Sequence, residues 1–365
     1  MTATVPKPLP RGENALIGPG VPTRLSAPYT GQPGPDSSPA RVAVVGTGAW
    51  WGREHLRAFS VRSDSELCAV VGRSSATAEA RGREYSVPWY TDVSAMLEAE
   101  QPDLVSVTLP NEAHFDTTLA LIRAGVPLLV EKPLVFDLAE ADQLLAEAAQ
   151  RDLFFAINFN HRYAHPVQLA HQAMIDGKLG DLVFATWRFG GEAGTSAHPH
   201  ANLIETQCHG FDMLEYLAGP IESVAAQMTD ITGKGFSTMT VALRFASGAV
   251  GSLVGSYDSS YAYPATHHLE LNGTAGRAVV TDTVGQFELS RVGEETREVW
   301  QPGYFNDNDR QFHRMFDRHL DDVLRALRAG DEPPVHARAG RRALQLALAA
   351  VSSFETGRRV DTPLD

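Results

Sequence analysis

Two short stretches of this chain combine residue types that can do acid–base chemistry. Glu131-Lys132-Pro133 follows the apolar run Val126–Val130, and a lysine placed there can donate or accept a proton. The second stretch runs from Glu205 to Asp212 and contains His209. On a helix, Glu205 and His209 at positions i and i+4 share one face, and Asp212 follows one turn later. Both stretches are therefore candidate proton-transfer sites.

A glycine-containing turn is a third candidate site, suited to an anion. Gly46-Thr47-Gly48 follows the apolar run Val42–Val45; Gly46 can make a tight turn, and Gly48 lets backbone approach a phosphate. The helix that follows offers free N–H groups and the positive end of its dipole. The usual third glycine would fall at Trp51, so we predict a slightly longer turn, with Gly52 letting the helix pack on the sheet. We expect a dinucleotide pyrophosphate to contact Gly46, Thr47, Gly48, Ala49 and Trp50.

The elements that must position these residues alternate between strand and helix over residues 40–160. Apolar runs predict strands at Val42–Val45, Leu67–Val71, Leu104–Leu109, Val126–Val130 and Phe154–Asn158. Amphipathic stretches predict helices at Glu54–Phe59, Ala76–Tyr85, Val93–Ala99, His114–Ala124 and Leu138–Arg151. Strands that are apolar on both faces and separated by helices indicate a doubly wound parallel sheet of the Rossmann type. The carboxyl ends of such strands open onto a ligand crevice, where Glu131 and Lys132 are predicted to lie.

The end of the second predicted strand bears on which dinucleotide is bound. An acidic residue there accepts hydrogen bonds from the adenosine ribose, whereas an arginine accommodates a 2′-phosphate. The chain has Arg73 and Ser74 at this point, and Glu66 precedes the strand, at the wrong end of the sheet. We therefore favour NADP over NAD. The alternative is a solvated Arg73 at the start of a helix that Ser75 caps.

After residue 160 the pattern changes to strands joined by short turns, which predicts an α+β domain over residues 161–365 with a large mixed, mostly antiparallel sheet. Strands are predicted at Val183–Phe189, Val224–Met228, Ser237–Phe245, Val250–Tyr257, His267–Asn272, Ala278–Thr281 and Gln286–Ser290. Alternation of apolar and polar residues in Thr238–Arg244 leaves one sheet face for solvent or a subunit contact. A C-terminal helix over about 337–357 is predicted to pack back on the first domain.

Composition limits the class of protein. The chain has 365 residues, 43% of them hydrophobic, and carries 31 basic and 44 acidic residues for a net charge of −13. This balance disfavours nucleic acid or an anionic membrane as a partner. Only Cys68 and Cys208 occur, which indicates a reducing cytoplasm. Residues 1–39 hold nine of the 22 prolines and predict a disordered or loosely docked arm; an arm that reaches onto a neighbouring subunit is the alternative.

The order of these motifs resembles the glucose–fructose oxidoreductase / inositol dehydrogenase / MocA (Gfo/Idh/MocA) family. The resemblance rests on the Gly-x-Gly turn, Leu109-Pro110-Asn111-x-x-His114, Glu131-Lys132-Pro133 and His209-x-x-Asp212, and it extends from about Arg41 to the end. It implies that Lys132 is catalytic or orients the cofactor, and that Asn111 and His114 lie along the nicotinamide. The glycine turn, Arg73 and Ser74 are already predicted to contact the cofactor. The further predicted cofactor contacts are Leu109, Pro110, Asn111, His114, Glu131 and Lys132.

The resemblance also implies roles in the second domain. The catalytic pair of the family maps to Glu205 and His209, with His209 as general base and Glu205 holding its tautomer. Glu205 departs from the family, where Asp is common. A surface ion pair on one helix face is the alternative. The segment from Asn158 to Tyr163 resembles one that lines the substrate pocket, so the predicted substrate contacts are Asn160, Arg162, Tyr163 and Asp212.

A zinc site is a weaker alternative for this second domain. His198, His200, Glu205, Cys208 and His209 are all possible zinc ligands, but their spacing matches no closed structural site. We therefore predict no metal, and His198 or His200 as contacts for substrate hydroxyls. The predicted function is hydride transfer between NAD(P) and a secondary alcohol or ketone of a sugar, cyclitol or glycoside, in a homodimer or homotetramer built through the second sheet. The alternatives are reduction of a small imine, diene or other non-sugar substrate, and a catalytically silent nucleotide-binding scaffold.

Overall fold

The structure is a computed structural model that describes residues 38–191, 198–304 and 308–364. These residues divide into two compact units. Unit 1 comprises the described residues up to Asn158 together with Leu320–Arg341, and unit 2 comprises Phe159–His319 together with the described residues from Arg342 onward. The N-terminal arm predicted over residues 1–39 lies outside the described residues apart from Ser38 and Pro39.

Unit 1 contains a six-stranded parallel sheet with strand order β3-β2-β1-β4-β5-β6. Its strands are β1 Ala40–Val45, β2 Ser65–Val71, β3 Trp89–Tyr90, β4 Leu104–Val107, β5 Leu128–Val130 and β6 Phe155–Ile157. Between them come α1 Trp51–Ser60, α2 Ser75–Tyr85, α3 Val93–Glu100, α4 Asn111–Ala124 and α5 Leu138–Ala149. The order confirms the predicted doubly wound sheet, with a strand-order reversal between β1 and β4.

Local sequence explains where these elements begin and end. The central strands are runs of Val, Leu and Ala that are buried throughout, as expected for parallel strands with both faces covered. Side chains of Asp92 and Asp137 accept backbone N–H groups at the starts of α3 and α5, and Gly125 ends α4 in the left-handed conformation. The two-residue strand β3 was not predicted, because two residues carry no detectable period.

Unit 2 contains a nine-stranded sheet with strand order β14-β13-β12-β11-β7-β10-β9-β8-β15. Its strands are β7 Leu182–Gly190, β8 Ile221–Thr229, β9 Thr238–Phe245, β10 Val250–Ser256, β11 His267–Gly273, β12 Gly276–Thr281, β13 Gln286–Arg291, β14 Arg297–Trp300 and β15 Val360–Asp361. Strands β7 and β10 pair in parallel, and the other neighbours pair antiparallel. The predicted mixed, mostly antiparallel sheet is confirmed.

Helical segments of this half of the chain hold the candidate site residues. A 3-10 turn, Asn160–Tyr163, precedes α6 His165–Ile175, and a π-helical turn, Asn202–Thr206, precedes α7 Cys208–Ala218. The chain then forms α8 Asn308–Ala329 and α9 Arg338–Thr356, each of which contributes residues to both units. Helices α6 and α8 and strands β14 and β15 were not predicted. For α8 the signal was present, because Met315, Phe316, Leu320, Val323, Leu324 and Leu327 recur at helical spacing and are buried.

One face of the second sheet is more open than the other. In β9 the residues Met239, Val241, Leu243 and Phe245 are buried, whereas Thr240, Ala242 and Arg244 between them are exposed. This alternation matches the pattern predicted from Thr238–Arg244. Among the helices of the described residues, none is long and apolar enough to cross a membrane.

Candidate functional site

The predicted phosphate turn lies between β1 and α1. Gly46 has φ +137°, and a Cβ there would lie 2.2 Å from Oγ1 of Thr108, so only glycine fits. Beside Gly48 the space is open, because the nearest atom to an added Cβ is a backbone nitrogen 3.9 Å away. A Cβ on Gly52 would lie 3.1 Å from the carbonyl oxygen of Gly46, so α1 packs tightly against the turn. The turn is longer than usual, and Gly52 takes the packing position of the third glycine, as predicted.

The other residues of this turn present an open surface. Ala49 and Trp50 are exposed, Trp50 by 68%, and Thr47 is held from one side by a hydrogen bond from its Oγ1 to Oγ1 of Thr77, at 3.3 Å. Trp50 precedes the first residue of α1, and its side chain does not cap the helix. An uncapped helix start beside an exposed turn suits an anion, and the contact with a pyrophosphate stays a prediction.

The residues around β2 agree with the predicted arrangement in part. Glu66 lies near the start of β2, where its Oε1 accepts a hydrogen bond of 2.8 Å from Nη1 of Arg41, away from the carboxyl end of the strand. Arg73 is exposed and makes no ion pair within the described residues. The cap of α2 is Ser74, whose Oγ accepts the N–H of Thr77 at 3.2 Å, and Ser75 is the first helical residue. The alternative that Ser75 caps the helix is wrong.

The residues after β4 are divided between surface and interior. Pro110 is exposed, Leu109 is buried, and Asn111 begins α4, with a side chain outside the described part of the structure. His114 lies one turn into α4 with a fully buried ring. Burial lowers the pKa of His114, and the nearby Glu131 carboxylate opposes that shift. Burial thus favours the neutral form of the His114 imidazole, and its contact with the nicotinamide stays a prediction.

Glu131 lies at the centre of a buried hydrogen-bond network that follows β5. Nε2 of His55 lies 2.8 Å from Oε1 of Glu131, and Nδ2 of Asn158 donates to the same oxygen at 2.5 Å. The backbone N–H of Lys132 donates to Oε2 at 3.2 Å. On the other side of the ring, Nδ1 of His55 lies 2.6 Å from Oγ of Ser106. The side chains of Asn158, Glu131, His55 and Ser106 are therefore joined in one chain of hydrogen bonds, to which the backbone N–H of Lys132 also donates.

The electrostatics of this network favour an ionised Glu131. Burial alone raises the pKa of its carboxyl group, but the hydrogen bond and charge of His55, with smaller effects of Lys132 and Asn158, lower it below its usual value. A carboxylate accepts hydrogen bonds only, so it suits the three donors around it. Lys132 itself is half-buried and follows the carboxyl end of β5, on the same sheet edge as the glycine turn.

In unit 2 the structure joins two of the predicted substrate contacts to each other. Nε and Nη2 of Arg162 donate to the two carboxylate oxygens of Asp212, at 2.9 and 2.5 Å, and the guanidinium lies 4.9 Å from the ring centroid of Tyr216. Burial raises the pKa of Asp212, and the Arg162 charge opposes the shift. The pair fastens the 3-10 turn to α7. A contact of either residue with substrate stays a prediction.

The neighbouring residues of the 3-10 turn differ in their surroundings. Tyr163 stacks on His319 with ring centroids 4.7 Å apart. Asn160 is 1% exposed, and neither its Oδ1 nor its Nδ2 has a hydrogen-bond partner in the described structure. Buried amides are normally satisfied, so Asn160 is the residue of this turn that best fits a ligand contact.

His209 is packed between aromatic rings. Its imidazole stacks on that of His161, with centroids 3.9 Å apart and planes 5° apart, and the ring of Phe159 meets it edge-on at 5.8 Å. His209 lies in α7, whereas Glu205 lies in the preceding π-helical turn, so the two are not on one continuous α-helix as predicted. Gln207 fills the break, because its buried amide accepts from Trp187 Nε1 and donates to the carbonyl of Phe189.

Two further histidines of the zinc hypothesis, His198 and His200, have other surroundings. The ring of His200 stacks on Phe236 with centroids 5.0 Å apart, and Nδ1 of His198 accepts the backbone N–H of His200 at 3.1 Å. Burial, with a smaller effect of His198, lowers the pKa of His200 to about 4. Within the ranges that the structure describes, no group of three His, Cys, Asp or Glu side chains is placed to hold a metal ion.

Comparison with known proteins identifies the family. The profile of the oxidoreductase family with an NAD-binding Rossmann fold matches residues 40–159, and the profile of its C-terminal alpha/beta domain matches residues 172–362. The chain belongs to the Gfo/Idh/MocA oxidoreductase family. The predicted resemblance is thereby confirmed, and with it the fold class of both halves.

Members of the Gfo/Idh/MocA family similar to this chain include named dehydrogenases. The chain is 26% identical over 341 residues to the myo-inositol 2-dehydrogenase of Thermotoga maritima, covering 88% of this chain and 98% of that one. It is 33% identical to the D-glucoside 3-dehydrogenase of Escherichia coli K12 over 153 residues, which are 42% of this chain and 44% of that protein. A levoglucosan dehydrogenase solved with NADH and levoglucosan superposes with a TM-score of 0.79 at 18% identity, over 89% of this chain and all of that one.

The residues that sequence reasoning missed are those that support the predicted ones. His55 reaches Glu131 from α1, and Ser106 of β4 bonds to the other nitrogen of His55. No local pattern marks a single histidine in a helix as the partner of a carboxylate 76 positions later. Asn158 and His161 belong to the segment that was singled out, but neither was assigned a role. The signal available for them was their position directly after a buried strand.

Proposed function

We propose that this protein transfers hydride between a nicotinamide dinucleotide and a secondary alcohol or ketone of a sugar, cyclitol or glycoside. The observation that carries the proposal is the open turn at Gly48 on the carboxyl edge of the parallel sheet, with Lys132 following β5 on the same edge. Membership of an oxidoreductase family and similarity to sugar and inositol dehydrogenases support it. The cofactor would be held by the glycine turn, Arg73, Ser74, Leu109, Pro110, Asn111, His114, Glu131 and Lys132.

In the proposed reaction the carbinol carbon loses its hydrogen as hydride, and the nicotinamide supplies the acceptor when it is bound. The hydroxyl proton leaves the same group, so that the C–O bond becomes a carbonyl. His209 takes this proton as general base, and Lys132 shares or relays it. Glu205 orients the His209 imidazole. Asn160, Arg162, Tyr163 and Asp212 are the proposed contacts for the remaining hydroxyl groups of the substrate.

Finer parts of the proposal concern cofactor, assembly and location. NADP is preferred over NAD because Arg73 is exposed and no acidic residue follows β2. The open face of the second sheet joins copies of the chain into a homodimer or homotetramer, and the protein acts in the cytoplasm. The chain divides into a cofactor domain over residues 40–160 and a substrate domain over residues 161–365.

The test is turnover of the purified full chain with NAD⁺ and NADP⁺ against a panel of cyclitols, aldoses and glycosides, followed by absorbance of the reduced nicotinamide. Lys132→Ala and His209→Asn are expected to lower kcat by about a hundredfold or more, the usual range for loss of a general acid or base. Arg83→Ala, an exposed α2 position, is the matched surface control. A second panel of small imines and dienes is assayed with NADPH and NADH. Turnover of that panel alone would favour the non-sugar alternative, and nucleotide binding without turnover of either panel would favour a silent scaffold.

A further inference from the structure

The stacked pair of histidines in unit 2 has a chemical consequence for the base assigned above. The imidazoles of His161 and His209 lie face to face at 3.9 Å, and the side chains are only 6% and 5% exposed. Two positive charges at this distance in a protein interior repel strongly. At an effective dielectric constant typical of proteins, placing the second proton on the pair is disfavoured by about three orders of magnitude. The two rings can therefore share one proton but do not both carry one.

Further aromatic rings pack against the pair. Phe159 lies edge-on to His209, and the ring of Phe189 lies 5.7 Å from that of His161, tilted by 42°. Phe189 is stacked in turn on His267 at 3.6 Å. Rings packed in this way cannot separate to relieve the repulsion without disturbing β7.

We propose that His161 is a positioning residue that fixes the ring plane of His209 and keeps it neutral, and hence able to accept a proton, at pH values where a lone histidine would be charged. This inference rests on the proposed function, in which His209 is the general base. One pH unit below its midpoint, a lone imidazole is neutral in about a tenth of molecules. A pair that shares a single proton equally leaves His209 neutral in about half of them.

Other charged or titratable groups around the pair remain in place when His161 is changed. The 3-10 turn and α7 bring the Arg162–Asp212 ion pair, and the π-helical turn brings Glu205. Further titratable groups on adjoining segments include Cys208 at the start of α7, Tyr257 directly after β10 and His267 in β11. A single substitution at His161 leaves these groups in place.

The first test is the pH profile of kcat/KM for wild type, His161→Phe and His165→Phe. Phenylalanine keeps a flat ring against His209 but cannot take a proton. His165→Phe is the matched control, because His165 lies outside the pair and packs against Trp300. In His161→Phe the acidic midpoint of the kcat/KM profile is expected to move up by about one pH unit. The acidic limb of the profile is expected to become a simple one-proton curve. The plateau is expected to stay within about threefold of wild type, and the control is expected to keep the wild-type profile.

The second test needs no turnover and separates this inference from the proposed function. The His209 ring of the full chain is followed by NMR across the same pH range, in wild type and in His161→Phe. Two coupled steps in wild type that become one step at higher pH in the variant support the inference. An unchanged His209 titration, or an unchanged acidic midpoint of kcat/KM, overturns it. If His209→Asn keeps full turnover, the base assignment fails whatever the NMR result.

Discussion

The two residues assigned to proton transfer, Lys132 and His209, are held in opposite ways. Lys132 follows the end of β5. The preceding residue, Glu131, is fixed by directional hydrogen bonds with His55 and Asn158. His209 is held by ring contacts with His161 and Phe159. Hydrogen bonds in the interior require each donor and acceptor to keep its partner, whereas ring contacts require shape. The hydrogen-bonded region around Glu131 should therefore tolerate few substitutions. The ring-packed region around His209 should tolerate substitutions that keep a flat ring.

The largest effect is expected for Glu131→Ala. This change leaves the side-chain donors of His55 and Asn158 buried without their shared acceptor, and it removes a buried charge partner. Such losses cost about 3 kcal/mol or more. Urea unfolding of the full chain should show a correspondingly lower free energy of unfolding.

The matched control for Glu131 is Glu79→Ala in α2. Glu79 forms an exposed ion pair with Arg83 at i,i+4 spacing, and such pairs contribute about 0.5 kcal/mol or less. If the two alanine variants unfold at the same urea concentration, the carboxylate of Glu131 has no special structural role and the comparison between the two regions fails.

The next prediction applies one substitution to both regions. His55→Phe removes the two hydrogen bonds of a buried imidazole and should destabilise by about 2 kcal/mol. His161→Phe keeps a stacked ring and should cost less than about 1 kcal/mol. Thermal or urea unfolding of the two variants gives the ranking. A larger loss for His161→Phe than for His55→Phe would contradict this ranking.

The same contrast explains what could be predicted from the sequence. Periodicity and glycine placement predicted the parallel sheet, the turn at Gly46–Gly52 and the strand that ends before Glu131, because these depend on residues close in sequence. The partners of Glu131 and His209 could not be found in this way. His55 of α1 meets Glu131 and Ser106 only after β4 and β5 have been aligned in the sheet, and His161 meets His209 from a segment 48 residues earlier.

A local detail also escaped prediction near His209. The spacing of Glu205 and His209 fits one α-helix, but the chain forms a π-helical turn, a break at Gln207 and then α7. The buried Gln207 side chain bonds to Trp187 and Phe189 of β7, so tertiary contacts override the helical spacing. The spacing of Glu205 and His209 along the sequence carries no information about contacts of Gln207 with a distant strand.

A further effect concerns the pH dependence of stability at His200. The pKa of His200 is lowered to about 4 by burial against Phe236, from an ordinary value of 6.5. The unfolded chain therefore takes up this proton before the folded chain does, and stability is lost as pH falls from about 6.5 toward 4. His200→Phe should remove this loss, on the order of 3 kcal/mol at pH 4.

Urea unfolding at several pH values measures the effect of His200. Above pH 7.5 the imidazole is neutral in both states, so wild type and variant should show a constant difference there, which serves as the internal control. A variant that loses stability with acid as steeply as wild type would show that His200 does not contribute to the acid limb.

The smallest effect is expected at Arg73, which belongs to neither region because it is exposed and makes no ion pair within the described residues. Its proposed role is to meet the 2′-phosphate of NADP, and a charge-assisted contact at an exposed site is worth about 1.4 kcal/mol, or a tenfold ratio. Arg73→Ala should therefore lower the kcat/KM ratio of NADP⁺ to NAD⁺ by about tenfold, mainly through KM for NADP⁺. Arg83→Ala, on the same helix, should leave the ratio unchanged. An unchanged ratio in Arg73→Ala would remove the argument for NADP.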